Sequence, residues 1–166
     1  MGKIQKIAPC LWFDSQAENA ANFYVSIFDD SRIVRITKYT SAGYEIHGKP
    51  AGSVLTVEFE LSGQRLTALN GGPQFKFNES ISFEVICDTQ EEIDYFWEKL
   101  SEGGEKGSCG WLKDRYGLSW QITPTILGEM LCDSNEEKRV RVTDTFLKMT
   151  KLEIEAIKKA FDGADK

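Results

Sequence analysis

Asp14-Ser15-Gln16-Ala17-Glu18 and Asp88-Thr89-Gln90-Glu91-Glu92 are two copies of one pattern: Asp, a hydroxyl residue, Gln, any residue, Glu. In each copy a Glu stands three positions after the Ser or Thr. That is the capping-box spacing, in which the hydroxyl accepts from a free backbone N–H at the start of a helix and the Glu reaches back to the cap's own N–H. Each copy follows an apolar run and precedes an amphipathic stretch. The same strand-to-helix corner therefore occurs twice, and this predicts a duplicated module.

Around the first copy, residues 4–13 read as a strand. Ala17, Ala20, Ala21, Tyr24, Val25 and Phe28 fall on one helical face, and Asp29-Asp30-Ser31 stops that helix. The β-branched residues of 32–40 predict a second strand. Ser41 to Ser53, with three glycines and Pro50, reads as a long loop. Leu55, Val57, Phe59 and Leu61 alternate with Thr56, Glu58 and Glu60, so 54–61 is a third strand. Ser62-Gly63-Gln64 turns into a fourth strand, Arg65 to Asn70, which Gly71-Gly72-Pro73 ends.

Around the second copy, Ile81 to Asp88 reads as a strand. A helix follows with Ile93, Phe96, Trp97 and Leu100 on one stripe, and Gly103-Gly104 closes it. Residues 105–113 hold one or two short strands, and Leu118 to Thr123 is the last strand, closed by Pro124. The order is βαβββ twice, with modules 4–72 and 80–124 inside a domain 1–125. Residues 126–166 read as a helical extension. Ser134-Asn135-Glu136-Glu137 is a third capping box, opening a helix to about Met149. Thr150-Lys151-Leu152-Glu153 resembles a fourth, opening a helix with Ile154, Ile157 and Phe161 inward. The extension should dock on its own module or on a partner subunit, with the end around Lys166 frayed.

The chain has 166 residues and a net charge of −6. An acidic balance argues against nucleic acid, which needs a basic face. No apolar run approaches a membrane span, and the first residues lack a secretory signal. The four cysteines, Cys10, Cys87, Cys109 and Cys132, are scattered with no C-x-x-C pair. A reduced, cytoplasmic protein is expected.

Paired βαβββ modules resemble the glyoxalase/bleomycin-resistance/dioxygenase group, the vicinal oxygen chelate superfamily. Leu11-Trp12-Phe13-Asp14, Ala20-Ala21-Asn22-Phe23-Tyr24, Leu69-Asn70-Gly71-Gly72-Pro73, Asp94-Tyr95-Phe96-Trp97 and Cys109-Gly110-Trp111-Leu112-Lys113-Asp114 are similar to the PhnB-like branch, labelled 3-demethylubiquinone-9 3-methyltransferase. The resemblance extends over nearly the whole chain, helical tail included. It implies an α+β fold in which the paired modules form a cupped mixed sheet, and a homodimer, often with modules exchanged between chains. It also implies a divalent metal held by His and Glu of strands one, four, five and eight. Counting from the shared motifs puts those positions at Pro9, Leu66, Ser82 and Gln121. Pro and Leu cannot ligate, and Ser and Gln are poor ligands for zinc, nickel or iron. The expectation is a fold without metal or other cofactor. Gly71-Gly72-Pro73 ends a strand without opening a helix and no G-x-G-x-x-G occurs, which argues against an adenosylmethionine site of the usual Gly-rich kind.

If those four positions face a cavity, strand alternation brings Leu11, Phe13, Ala68, Asn70, Glu84, Ile86, Ser119 and Thr123 with them. The expected ligand-binding residues are Phe13, Leu66, Ala68, Asn70, Ser82, Ser119 and Gln121. They form a half-apolar pocket with a polar end, suited to a small molecule. Glu84 is the candidate catalytic group: a carboxylate in such a cavity has a raised pKa and serves as general acid or base. The alternative is that it pairs with Arg65 or another cation. His47, the only histidine, reads as a solvated loop residue. Cys10 and Cys87 should face the helices as small hydrophobes. Trp111 and Trp120 read as core; the alternative is that one of them lines the pocket. Phe75 and Phe77 read as a lid, a subunit clasp or a plug. The functional expectation is a metal-free, dimeric small-molecule binder. The alternatives are an enzyme using Glu84 in the same cavity, or the methyltransferase of the family label.

Overall fold

The computed structural model describes residues 5–163. Ile4, where the first strand was expected to begin, and Lys166 lie outside the described residues. The chain divides into two compact units, the first reaching Phe77 and the second beginning at Asn78.

The first unit runs β1 (Cys10–Phe13), α1 (Ala17–Val25), β2 (Arg32–Lys38), α2 (Tyr44–His47), β3 (Val54–Leu61) and β4 (Gln64–Asn70). Its four strands lie in the order β1-β4-β3-β2, with β1 parallel to β4 and the other pairs antiparallel. The second unit runs β5 (Ser82–Cys87), α3 (Gln90–Ser101), β6 (Glu105–Lys106), β7 (Trp111–Lys113) and β8 (Ser119–Pro124). Its sheet has the order β5-β8-β7-β6, again with one parallel pair, β5 on β8. Both units are therefore βαβββ with the same strand order, and the duplicated module is present as two four-stranded mixed sheets. Three further helices, α4 (Thr125–Leu131), α5 (Glu136–Phe146) and α6 (Ile154–Asp162), follow within the second unit. The loop expected over 41–53 contains the one-turn α2, flanked by Gly43 and Gly48 in the left-handed region.

The two helix starts are solved differently. At α3 the capping box forms as the spacing requires: Glu92 N–H donates to Thr89 Oγ1 and the Glu92 carboxylate accepts from Thr89 N–H. At α1 it does not form. The N-cap is Gln16, whose side chain makes no capping bond. Ala17 N–H instead donates to Asn70 Oδ1 at 2.8 Å, from the end of β4. A group far away in sequence does what Ser15 was expected to do. Residue 135 likewise replaces Ser134 as the cap of α5, with Lys138 N–H donating to Asn135 Oδ1.

Helix α1 covers the sheet face that carries Val57, Phe59, Leu66 and Ala68, all at most 2% exposed. Tyr24 of α1 stacks on Phe59 with centroids 6.1 Å apart, and Phe59 lies opposite Leu66 in the register. Residues opposite one another share a face, so Leu66, Ala68 and Asn70 lie on the helix side, together with Leu11 and Phe13 of β1. The other face is solvated, with Arg35 on Glu58, both Arg32 and Arg65 on Glu60, and Thr37 on Thr56. In the second unit Ile93, Trp97 and Leu100 of α3 are buried with Leu112, Trp120 and Ile122 of the sheet.

The tail packs on its own module rather than leaving it. Leu127, Val142, Leu152 and Ile157 form a buried cluster. Cys109 N–H donates to the Met149 carbonyl and Gly110 N–H to the Thr150 carbonyl, both at 2.8 Å. Gln90 of α3 donates to the Leu152 carbonyl and accepts from Ile154 N–H at 2.8 Å, supplying the cap that α6 lacks in its own sequence. Gly110 makes this close approach possible. Its φ of +81° is left-handed, and a Cβ there would stand 2.6 Å from the Ile122 carbonyl oxygen.

Candidate functional site

The expected site residues divide between the two units. In the first, the open-cavity placement of Phe13, Leu66, Ala68 and Asn70 is corrected by the register. All four are at most 6% exposed and share the face that α1 covers. Counting placed the strand one residue out, and a one-residue slip moves every side chain to the opposite face. The same slip put Cys10 toward the helix; it is exposed on the other side. Asn70 is a structural bracket: besides receiving Ala17 N–H, its Nδ2 donates to the Val54 carbonyl at 3.0 Å. It also touches a groove of about 330 Å³ beside Ser15, Lys49 and Ser53.

In the second unit the parity is as read. Ser82, Glu84 and Ile86 of β5 stand opposite Ser119, Gln121 and Thr123 of β8. They lie on the face away from α3, since the intervening Trp120 and Ile122 are buried with that helix. Trp111 of β7 stands opposite Gln121, so Glu84, Gln121 and Trp111 form one row across three strands. Gln121 Nε2 donates to Ser82 Oγ at 2.9 Å, and Thr123 Oγ1 donates to Glu84 Oε1 at 2.8 Å. Glu84 is exposed, so the enclosure that a buried general acid requires is missing. Its partner is a hydroxyl, and the Arg65 guanidinium expected as a counter-ion meets Glu60 instead.

This face opens onto a cleft of about 710 Å³. One side is the strand row with Ile86 and Thr123. The other is built from the tail: Leu127, Gly128 and Leu131 of α4, and Phe146 and Leu147 at the end of α5. Cys109 also borders it, with Sγ donating to the Leu147 carbonyl. The sequence reading missed the tail wall. The Leu127/Leu131 spacing was visible, but nothing local tells a helix which sheet face it will meet. Ser119 is 1% exposed, and its hydroxyl has no hydrogen-bond partner among the described residues. It sits at the edge of a smaller hollow of about 230 Å³ with Glu79, Lys106 and Lys113. There the hydrogen bond from Lys113 holds the Glu79 carboxyl below its ordinary range and raises the Lys113 ammonium.

The remaining expectations resolve simply. Trp120 is core, at 2% exposed, while Trp111 borders the cleft. Phe75 and Phe77 pack edge-on against Trp12 and Phe13. His47 lies against Tyr39 and accepts from Lys49 N–H through Nδ1. Cys87 is fully buried, and burial, then Glu92 and Asp88, push its thiol up to about 12.

A divalent metal does not fit these donors. Ser82 and Gln121 are bonded to each other, Glu84 is a single carboxylate, and Pro9 and Leu66 offer nothing to an ion. Among the described residues no three His, Cys, Asp or Glu side chains gather as a metal site would. No described helix is long and apolar enough to cross a membrane.

A twice-repeated βαβββ unit, with one parallel pair in each sheet and a helix over one face, defines the glyoxalase/bleomycin-resistance type of fold. The family model described as 3-demethylubiquinone-9 3-methyltransferase matches residues 5–123, and the chain belongs to that family. A PhnB protein from Bacillus cereus is similar in structure, with a TM-score of 0.63 and 37% identity over 73% of this chain and 100% of that one. A protein of Pseudomonas aeruginosa gives a TM-score of 0.55 at 16% identity, covering 73% of this chain and 98% of its own. A glyoxylase/bleomycin resistance protein/dioxygenase domain from Frankia is more distant, with a TM-score of 0.44 and 12% identity over 74% of this chain and 93% of that one. None of the curated proteins matches this chain. The family match ends at residue 123, so the helical tail lies outside it, and the resemblance is narrower than the motifs alone imply.

Proposed function

We propose that this chain is a small-molecule-binding protein of its family, working as a cytoplasmic homodimer without bound metal or other cofactor, and that its ligand occupies the cleft of the second unit. The cleft carries the reading: about 710 Å³, with hydrogen-bonding groups on one side and an apolar wall on the other, is the size and chemistry of a ligand pocket. Glu84, Gln121 and Thr123 are its polar side, with Ser82 accepting from the Gln121 amide behind them. In this reading residues 1–125 are the binding domain and 126–166 an extension that completes its site. A ligand that binds only the native state raises the melting temperature. A thermal-shift screen against a panel of metabolites should therefore yield stabilising compounds. Their resonance shifts should map to residues of the cleft, and a clean panel would overturn the reading. One transition metal per chain in elemental analysis would overturn the metal-free part, and a monomer at micromolar concentration in ultracentrifugation the dimer.

The placement of Glu84 beside the cleft favours one second reading: catalysis with Glu84 as general base and Gln121 holding the substrate. A Glu84→Gln variant with undiminished turnover on an identified substrate would remove it. The methyltransferase activity in the family's description is tested by calorimetry with adenosylmethionine, where absence of heat is the expected result.

A further inference from the structure

The charge of the cleft says more than its size. Of the described side chains that line it, Glu84 alone carries a charge, and no Lys, Arg or His is among them. Thr123 occupies only one oxygen of the Glu84 carboxylate. The amide of Gln121 donates one N–H to Ser82 Oγ, and its carbonyl oxygen is an acceptor on a residue that lines the cleft. In the same row stands Trp111, two strand spacings or about 10 Å from the carboxylate strand. Beside this row Ile86, and across from it Leu147, remain 66% and 57% exposed, apolar surface that a ligand would cover. Gly128 faces the same space from the middle of α4, and a Cβ added there would meet no atom within 4 Å. A mid-helix glycine costs about 1 kcal/mol relative to alanine, and packing does not require this one.

Resting on the reading of the cleft as a ligand site, we infer that the ligand is an amphiphilic cation: an amine or quaternary ammonium carried on an apolar body. The cationic head lies between the Glu84 carboxylate, the Gln121 carbonyl oxygen and the indole face of Trp111, an arrangement suited to an ammonium group. The apolar body lies along Leu127, Leu131 and Phe146 of the tail. The extension beyond the family match thus sets the length and apolarity of what is bound, and the strand row sets its charge. An anionic ligand would meet the Glu84 carboxylate with no compensating cation among the described lining residues.

Three probes with one body and different heads test this: 4-phenylbutylamine, 4-phenylbutanol and 4-phenylbutyrate, titrated into the full chain by amide NMR and calorimetry. The amine should bind about tenfold more tightly than the alcohol, with shifts at Glu84, Gln121 and the Trp111 indole, and the butyrate should bind least. Added salt should weaken the amine and leave the alcohol unchanged. Glu84→Gln should bring the amine to the alcohol's affinity without altering the alcohol. Gly128→Leu, a change that favours the helix, should weaken all three by filling the cleft while the melting temperature holds or rises. Equal affinities for the three heads, all mapping to the cleft, would overturn the cationic inference and leave the small-molecule reading standing. No cleft shifts with any probe, together with a clean metabolite panel, would overturn both.

Discussion

Replacing Asn70 by Ala distinguishes a structural residue from a ligand contact. The side chain is 6% exposed and makes two bonds: Oδ1 accepts from Ala17 N–H at 2.8 Å and Nδ2 donates to the Val54 carbonyl at 3.0 Å. The first satisfies an orphan N–H at the start of α1, since no side chain near the cap does so. Losing each bond removes about 1 kcal/mol net, and leaving a buried donor unpaired adds about 1–3 kcal/mol. The expected loss is about 3–5 kcal/mol, or a fall in melting temperature of roughly 6–20 °C for a chain of this size. Urea unfolding followed by circular dichroism should show the midpoint falling with the slope unchanged. Binding of 4-phenylbutylamine in the second unit should persist in the folded variant. A midpoint change worth less than about 0.5 kcal/mol would refute the bracket role of Asn70.

Three further outcomes follow from particular contacts. Ser119→Ala should stabilise the chain by about 1 kcal/mol, because it removes a buried hydroxyl with no partner among the described residues; a loss of stability would show that the hydroxyl is satisfied in solution. Gly110→Ala should destabilise by about 2–5 kcal/mol, through left-handed strain and the clash with the Ile122 carbonyl, and amide exchange should quicken in α6 as the tail loosens. The Cys87 thiol, raised from 9.0 to about 12 chiefly by burial, should resist a thiol reagent until the protein unfolds. Because the folded value is the higher one, its contribution to stability is complete below pH 9 and is lost as pH rises toward about 12. The urea midpoint of the parent should therefore fall more between about pH 8 and 10 than that of Cys87→Ala, and equal falls would refute the assignment.

Several features were legible in the chain because they are local. The alternation of Val54–Leu61, the stripe of Ile93, Trp97 and Leu100, and the Thr89/Glu92 box each involve residues a few positions apart, and backbone geometry alone turns such spacing into structure. The repeat of that local pattern sufficed for two βαβββ modules. Local order did not decide the faces of β1 and β4. Leu11, Trp12 and Phe13 are apolar on both sides, as are Ala68 and Leu69, so alternation carries no sign there, and only the seating of Tyr24 on Phe59 settles it. In β5 and β8, Ser82, Glu84 and Gln121 differ enough from Val85, Trp120 and Ile122 for the sign to be read.

Tertiary structure alone decided where distant groups meet. Asn70 caps α1 from 53 residues away and Gln90 caps α6 from 64, since an orphan N–H donates to any acceptor the fold delivers, and sequence distance does not enter. The cleft has the same origin. Its polar row belongs to the duplicated module and its apolar wall to the tail, and neither stretch carries a sign that it will face the other, because burial is a property of the packed chain rather than of any segment in it.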